Sequence, residues 1–274
     1  MDGVTGPLIA PPRRAAPGPS LVRWHPLPAP RARLFCFPHA GGGAVAYRTW
    51  ARLLAPGGVE VIAVRLPGRE TRFAETPLTR VEDIVPPLMR ELAPWLDRPH
   101  AWFGHSLGAV LAFEACRAVR ARSLGEPVRL VVSGRPAPHL PLHLPPVHDA
   151  PLGEFLARLR ATGGTQAELL AAPAALSALL PMLRADFAAG ETYRCRPAPP
   201  LDCPISVYGG SGDPYAGAGD LRAWERYTAA DCAVRIFDGG HFYLHDHPEP
   251  VIAALASDLA LALHWPRRRI GEPS

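Results

Sequence analysis

Residues 102–115 read WFGHSLGAVLAFEA, with a serine between two glycines where an apolar run gives way to helical spacing. The run from His100 to Phe103 is short and apolar and suits a buried strand, whereas Leu107, Val110, Leu111 and Phe113 recur with the period of a helix. Ser106 therefore falls at a strand-to-helix turn. A side chain presented there needs a strained backbone and leaves no room for side chains two residues before and two after, the places that Gly104 and Gly108 occupy. The pattern G-x-S-x-G has this mechanical meaning, but the pentapeptide alone also suits an ordinary turn, so the rest of the chain must decide its role.

Outward from this point the chain alternates between short β-rich runs and longer helical ones. LFCF (34–37) is followed by VAYRTWARLL (45–54), VEVIAV (59–64), VEDIVPPLMRELAPWL (81–96) and HAWFG (100–104). Later strand candidates are VRLVVSG (128–134), PISVYGG (204–210) and AVRIFDGG (233–240). Strand and helix in alternation predict an α/β fold, a mostly parallel twisted sheet with helices on both faces and ligands at the carboxyl ends of the strands. One segment breaks the rhythm: about 135–200 holds proline-rich loop and then helical periodicity, too long for a simple crossover, and reads as a helical lid over the site.

Composition narrows the classes. The formal charge is +4 across 274 residues, and all 29 basic residues are arginine, so a Schiff-base lysine and a phosphate-loop lysine are both excluded. Basic residues do not cluster with aromatics, which argues against nucleic acid. Five cysteines without a CxxC pair argue against a disulfide framework or a zinc site and suit a reducing cytoplasm. Residues 1–20 are rich in proline and arginine without a continuous apolar segment, and read as a disordered tail rather than a signal peptide. The apolar stretch near Val251–Trp265 is interrupted by Asp258, so it reads as an amphipathic helix and not a membrane span. The expected layout is a tail over 1–20, one domain over 21–265 and a flexible C-terminal tail over 266–274, in a chain taken to be monomeric.

A serine nucleophile needs a base, and the base an orienting acid. Asp213 follows PISVYGG and His241 follows AVRIFDGG, which completes the order Ser106, Asp213, His241 of α/β-hydrolases. His241 would take the serine proton and Asp213 would hold its tautomer. Asp238 is the rival acid, three residues before the histidine and badly placed to reach it. His245 and His247 flank Asp246, a pattern better suited to capping or solvation than to a metal. The oxyanion donors are expected at the N–H of Leu107 and, in the glycine-rich stretch FPHAGGGAVAY after the first strand, at Ala40. His39 is a candidate substrate contact or a hydrogen-bonding support of that loop. A carboxylesterase or lipase for small molecules would carry the same three residues.

FCFPHAGGG, RLPGRETR, FGHSLGAVLAFE, LLPMLRADFAAGETYR, CPISVYGGSGDP and GGHFYL, in this order and spacing, resemble the type II thioesterases that serve polyketide synthases and nonribosomal peptide synthetases. The resemblance spans about Leu21 to Trp265, and FPHAGG with LPGRE and RADF…ETY is its specific part. It implies an α/β-hydrolase that frees acyl groups from the phosphopantetheine arms of acyl or peptidyl carrier proteins, with no cofactor of its own. It carries the triad onto Ser106, Asp213 and His241 and the oxyanion loop onto Ala40. Leu107 stands where methionine is frequent, which is harmless if only its N–H is used. Arg69 and Arg72 are candidate contacts for the arm's phosphate or the acidic carrier, or else members of structural salt bridges.

Overall fold

Five largely apolar runs, Ala32–Phe37 (β2), Val59–Val64 (β3), His100–His105 (β4), Arg129–Ser133 (β5) and Ile205–Gly210 (β6), form the interior of the sheet in the computed structural model, which describes residues 17–164 and 172–263. Nearly every residue in them is buried, the pattern of parallel strands covered on both faces. Leu21–Val22 (β1) and Cys232–Phe237 (β7) form the two edges, and the order is β1-β3-β2-β4-β5-β6-β7. All neighbours run parallel except β1, which pairs antiparallel with β3. A strand of only two residues carries no readable period, so β1 is absent from the sequence reading.

Alternation along the strands divides the core. Phe35, Phe37, Ile62 and Val64 pack toward Val81–Leu92 (α2) and Leu107–Ala121 (α3). Leu34, Cys36, Val61 and Ala63 point the other way, toward Arg48–Leu54 (α1) and Pro248–Ala262 (α8). Between β5 and β6 run Leu152–Thr162 (α4) and Pro173–Thr192 (α5), which share a small core of their own built on Val147, Phe155, Leu159, Met182 and Leu183. Two shorter helices, Ala218–Arg222 (α6) and Tyr243–Asp246 (α7), follow β6 and β7. Among the described residues no helix is long and apolar enough to cross a membrane.

The expected tail boundary needs correction at its inner end. Ser20 is buried, its N–H and hydroxyl donating to Glu91 at 2.9 and 2.6 Å, and the Pro19 carbonyl accepts from Arg65. These contacts fix the chain before Leu21. The rest of the expected tails, 1–16 and 266–274, lies outside the described residues.

The strand order sets the location of the site. The chain leaves β2 for β3 on one side and later returns to place β4 on the other, so the loops after β2 and β4 diverge at a topological switch point. Those loops are packed backbone to backbone. A Cβ on Gly108 would lie 2.2 Å from the Phe37 carbonyl oxygen, and one on Gly104 would lie 2.0 Å from that of Gly108. Backbone cannot rotate away as a side chain can. Gly104→Ala should therefore lower stability to urea by at least ~2 kcal/mol through overpacking, while Gly57→Ala, with nothing within 4 Å of the new methyl, serves as the neutral control. Equal unfolding midpoints for the two variants would refute the steric account of the turn.

Candidate active site

Ser106 joins β4 to α3 with φ 55° and ψ −113°, the left-handed half of the map that a residue with a side chain rarely adopts. Such a conformation costs roughly 1–3 kcal/mol and persists only where neighbours over-determine it. Here its N–H donates to the Ser133 carbonyl at the end of β5 at 2.8 Å, and the flanking glycines admit the close turn. The strain pushes the serine out of the sheet's end into a cleft also lined by Ala40, Leu107, Tyr215 and His241.

The loops after β6 and β7 are laced together before they reach this cleft. Ser211 and Gly212 donate their N–H groups to the carbonyls of Phe237 and Gly239 at 2.8 and 2.9 Å. A Cβ on Gly210 would meet the Gly240 carbonyl at 2.3 Å, so the approach requires glycine. On this base His241 Nδ1 donates to Asp213 Oδ2 at 2.9 Å, both side chains almost wholly buried. The second carboxylate oxygen of Asp213 accepts the Tyr215 N–H at 2.9 Å. A carboxylate can only accept, so Nδ1 carries the proton of this bond and Nε2 is the ring nitrogen turned away from Asp213. Asp238 is exposed just beyond β7, and the pairing of His241 belongs to Asp213.

The glycine-rich loop after β2 is held from outside. Gly42 donates to the His39 carbonyl at 2.9 Å, and Gly41 donates to Asp186 Oδ2 on α5 at 2.7 Å. Arg69 completes the clamp: its guanidinium donates to both oxygens of Asp186, at 2.8 and 2.7 Å, and to the Gly42 carbonyl at 2.7 Å. Neither the N–H of Ala40 nor that of Leu107, at the first position of α3, is spent on a hydrogen bond among the described residues. Two free donors thus flank the serine in the same cleft.

A family model described as a thioesterase domain matches residues 32–259. Gramicidin S biosynthesis protein GrsT of Aneurinibacillus migulanus is 39% identical over 235 residues, 86% of this chain and 91% of that protein. Thioesterase PikA5 of Streptomyces venezuelae is 38% identical over 253 residues, 92% of this chain and 89% of that one. Among solved structures, the type II thioesterase BorB from the borrelidin biosynthetic cluster aligns with a TM-score of 0.78 at 35% identity, covering 91% of this chain and 98% of its own. The chain belongs to the thioesterase domain family. The expected α/β-hydrolase fold and the resemblance to type II thioesterases are both borne out.

Of the two readings that the sequence allowed for Arg69, Arg72 and His39, substrate contact or structural support, the surroundings favour support. Arg69 is 4% exposed, with its guanidinium engaged by Asp186 and the Gly42 carbonyl, so it braces the glycine-rich loop after β2. Arg72 is bidentate to Glu75 and also donates to Ser20 and the Arg65 carbonyl, which makes it the structural salt bridge. His39 is buried behind the cleft, edge-on to Phe242 and His245, and supports the loop with its ring against Gly42. The sequence reading also passed over Asp186, Tyr215 and Phe242. The one available signal for Asp186 was its place in RADF, a motif that recurs together with the LPGRE that holds Arg69.

Burial disfavours the charged form in a histidine cluster behind the glycine-rich loop after β2. Desolvation, with His245, His241 and Arg69 adding to it, pushes His39 from 6.5 down to about 3. Burial likewise holds His105 well below its ordinary value and lowers His245. The sign of the pH effect follows: below pH 6.5 the unfolded chain binds protons that the fold refuses, so stability falls as pH drops toward 3. Thermal melts between pH 7 and 5 at constant ionic strength should show a falling Tm, and His39→Gln should flatten that slope. A level Tm in the wild-type chain would mean that the cluster is not held neutral.

The Arg69–Asp186 clamp separates stability from positioning. Arg69→Met leaves a carboxylate buried beside only the Gly41 donor and should cost ~3–5 kcal/mol. The double variant Arg69→Met/Asp186→Leu removes both charges and should regain most of that stability, yet its kcat should stay about 10- to 100-fold low because the loop has lost its anchor. Recovery of stability and turnover together would show that the pair does not position the loop.

Proposed function

We propose that this thioesterase is a serine hydrolase that cleaves acyl thioesters from the phosphopantetheine arm of acyl or peptidyl carrier proteins, clearing stalled or misprimed chains from polyketide and nonribosomal peptide synthases. The observation that carries the reading is the buried His241–Asp213 pair in one cleft with a strained Ser106 and two free N–H donors. The relatives' own descriptions, in gramicidin S biosynthesis and the borrelidin cluster, supply the pathway class.

The Ser106 hydroxyl attacks the thioester carbonyl as its proton passes to His241 Nε2. Negative charge on the carbonyl oxygen is met by the N–H groups of Ala40 and Leu107, donors fixed before the reaction begins. Collapse breaks the C–S bond, and His241 returns the proton to the departing pantetheine sulfur. Water then attacks the acyl-serine with His241 again as base, releasing the acid and restoring the hydroxyl. Asp213 stays ionised throughout, holding the tautomer and stabilising the imidazolium. Each of these steps uses protein groups and water, and the phosphopantetheine arrives with the substrate.

The walls suit an acyl group. Leu142, Leu144, Leu159 and Phe187 line the cleft, three of them from the segment before α5 and one from α5 itself. The insertion between β5 and β6 therefore acts as the lid that receives the acyl chain.

Ser106→Ala should fold normally and lower hydrolysis of an acyl-carrier protein by at least ~10³-fold, the residue left by oxyanion and binding contributions alone. Asp213→Asn should impair turnover far more than Asp238→Asn. The same acyl group should turn over faster on a carrier protein than as a simple oxyester. Wild-type rates from a folded Ser106→Ala protein would end the serine mechanism, and a preference for the oxyester would favour a small-molecule esterase.

A further inference from the structure

Tyr215 lies two residues after Asp213 and takes part in three contacts of different kinds. Its N–H donates to Asp213 Oδ1 at 2.9 Å, the oxygen that His241 does not use. Its ring packs against the His241 imidazole with centroids 4.6 Å apart and planes tilted by 47°. Its hydroxyl meets Thr162 Oγ1, on the last turn of α4, at 2.5 Å. The direction of that last bond is fixed by its surroundings. Thr162 Oγ1 gives its single proton to the Arg158 carbonyl at 2.7 Å, so the tyrosine hydroxyl is the donor.

A second aromatic ring packs against the imidazole. Phe242 stands edge-on to His241, with centroids 5.1 Å apart and planes at 85°. Gly164, just past α4, sits so close to Phe242 that a Cβ there would lie 2.2 Å from the ring. The end of one insertion helix therefore touches both aromatic rings that flank the base. Thr162, Gly164, Tyr215 and Phe242 also line the cleft, so this contact is part of the wall beside the reacting atoms.

We propose that Tyr215 is a positioning residue through which α4 sets the placement of His241. Its ring and N–H hold the His241–Asp213 pair in register, and its hydroxyl ties that register to the lid. The inference rests on the reading of Ser106, Asp213 and His241 as the catalytic triad. It extends that reading by making turnover depend on where α4 sits: an acyl group that displaces Thr162 loosens the base while remaining bound. Discrimination between acyl groups then appears in kcat rather than in KM.

Four variants test this: Tyr215→Phe and Thr162→Val remove only the hydroxyl link, their double variant removes it from both ends, and Tyr215→Ala removes the ring as well. With acetyl-carrier protein as substrate, each single variant that cuts the link should lower kcat about 3- to 10-fold with KM within about twofold, and the double should be no worse than either. Tyr215→Ala should lose roughly 100-fold, with Phe restoring most of it because the ring is retained. A small phosphonylating probe should label Ser106 more slowly in parallel with kcat. The proposal is overturned if the losses multiply in the double variant, if they fall on KM, or if Tyr215→Ala turns over like wild type. His241→Ala is the control for the underlying reading. If it stays active the triad assignment fails, whereas an inactive His241→Ala beside wild-type Tyr215 variants refutes the role of Tyr215 alone.

Discussion

A buried arginine and aspartate, Arg69 and Asp186, hold three distant parts of the chain together at one point. Taking two charges out of water costs several kcal/mol per ion, and the attraction between them repays it only when the remaining donors and acceptors are also satisfied. Here they are: Asp186 accepts from both guanidinium nitrogens and from Gly41, while Arg69 reaches the Gly42 carbonyl as well. The pair therefore fixes the loop after β2, the turn after β3 and the middle of α5 at one point. Hydrophobic packing of the same volume would be at least as stabilising, but it would not aim two backbone N–H groups.

That aim matters because Ser106, the nucleophile of the proposed function, is set by strain of a different origin. Ser106 is held at positive φ by the sheet, through the Ser133 carbonyl and through the backbone contact that the flanking glycines permit. The glycine-rich loop after β2 is held by charge. The His241–Asp213 pair is held by the lacing of two loops beyond β6 and β7. Three independent devices thus converge on the switch point, each fixing one group, which is how a site on loops reaches the precision of one built on strands.

The features legible in the sequence share one property, that their cause lies within a few residues. Gly104 and Gly108 announce the turn because the steric demand is local, and Asp213 and His241 announce themselves by standing at the ends of apolar runs. The parallel sheet follows for the same reason. Arg69 was visible as a charge, but its partner lies 117 residues away, and nothing near it distinguishes a phosphate ligand from a buried ion pair. Arg72 was ambiguous in the same way, and its bidentate contact with Glu75, only three residues on, could have been anticipated from spacing alone. Tyr215 was passed over because its importance comes from three partners on different elements. β1 is too short to show a period, and Ser20 is ordered by a glutamate on α2.

The insertion between β5 and β6, read from its sequence as a helical lid, carries a small core of its own around Phe155 and Leu183. Its attachments say more. α5 is bound to the glycine-rich loop after β2 through Asp186, and α4 is bound to the loop after β6 through Thr162 and Tyr215. Each helix is thus tied to a different wall of the cleft, one to the loop with the free Ala40 N–H and one to the loop of the His241–Asp213 pair. Because α4 and α5 share a core, neither attachment can shift far without the other. On the proposed function, the insertion that would receive the acyl group is in this way also the brace between the glycine-rich loop after β2 and the loop that carries Asp213 and Tyr215.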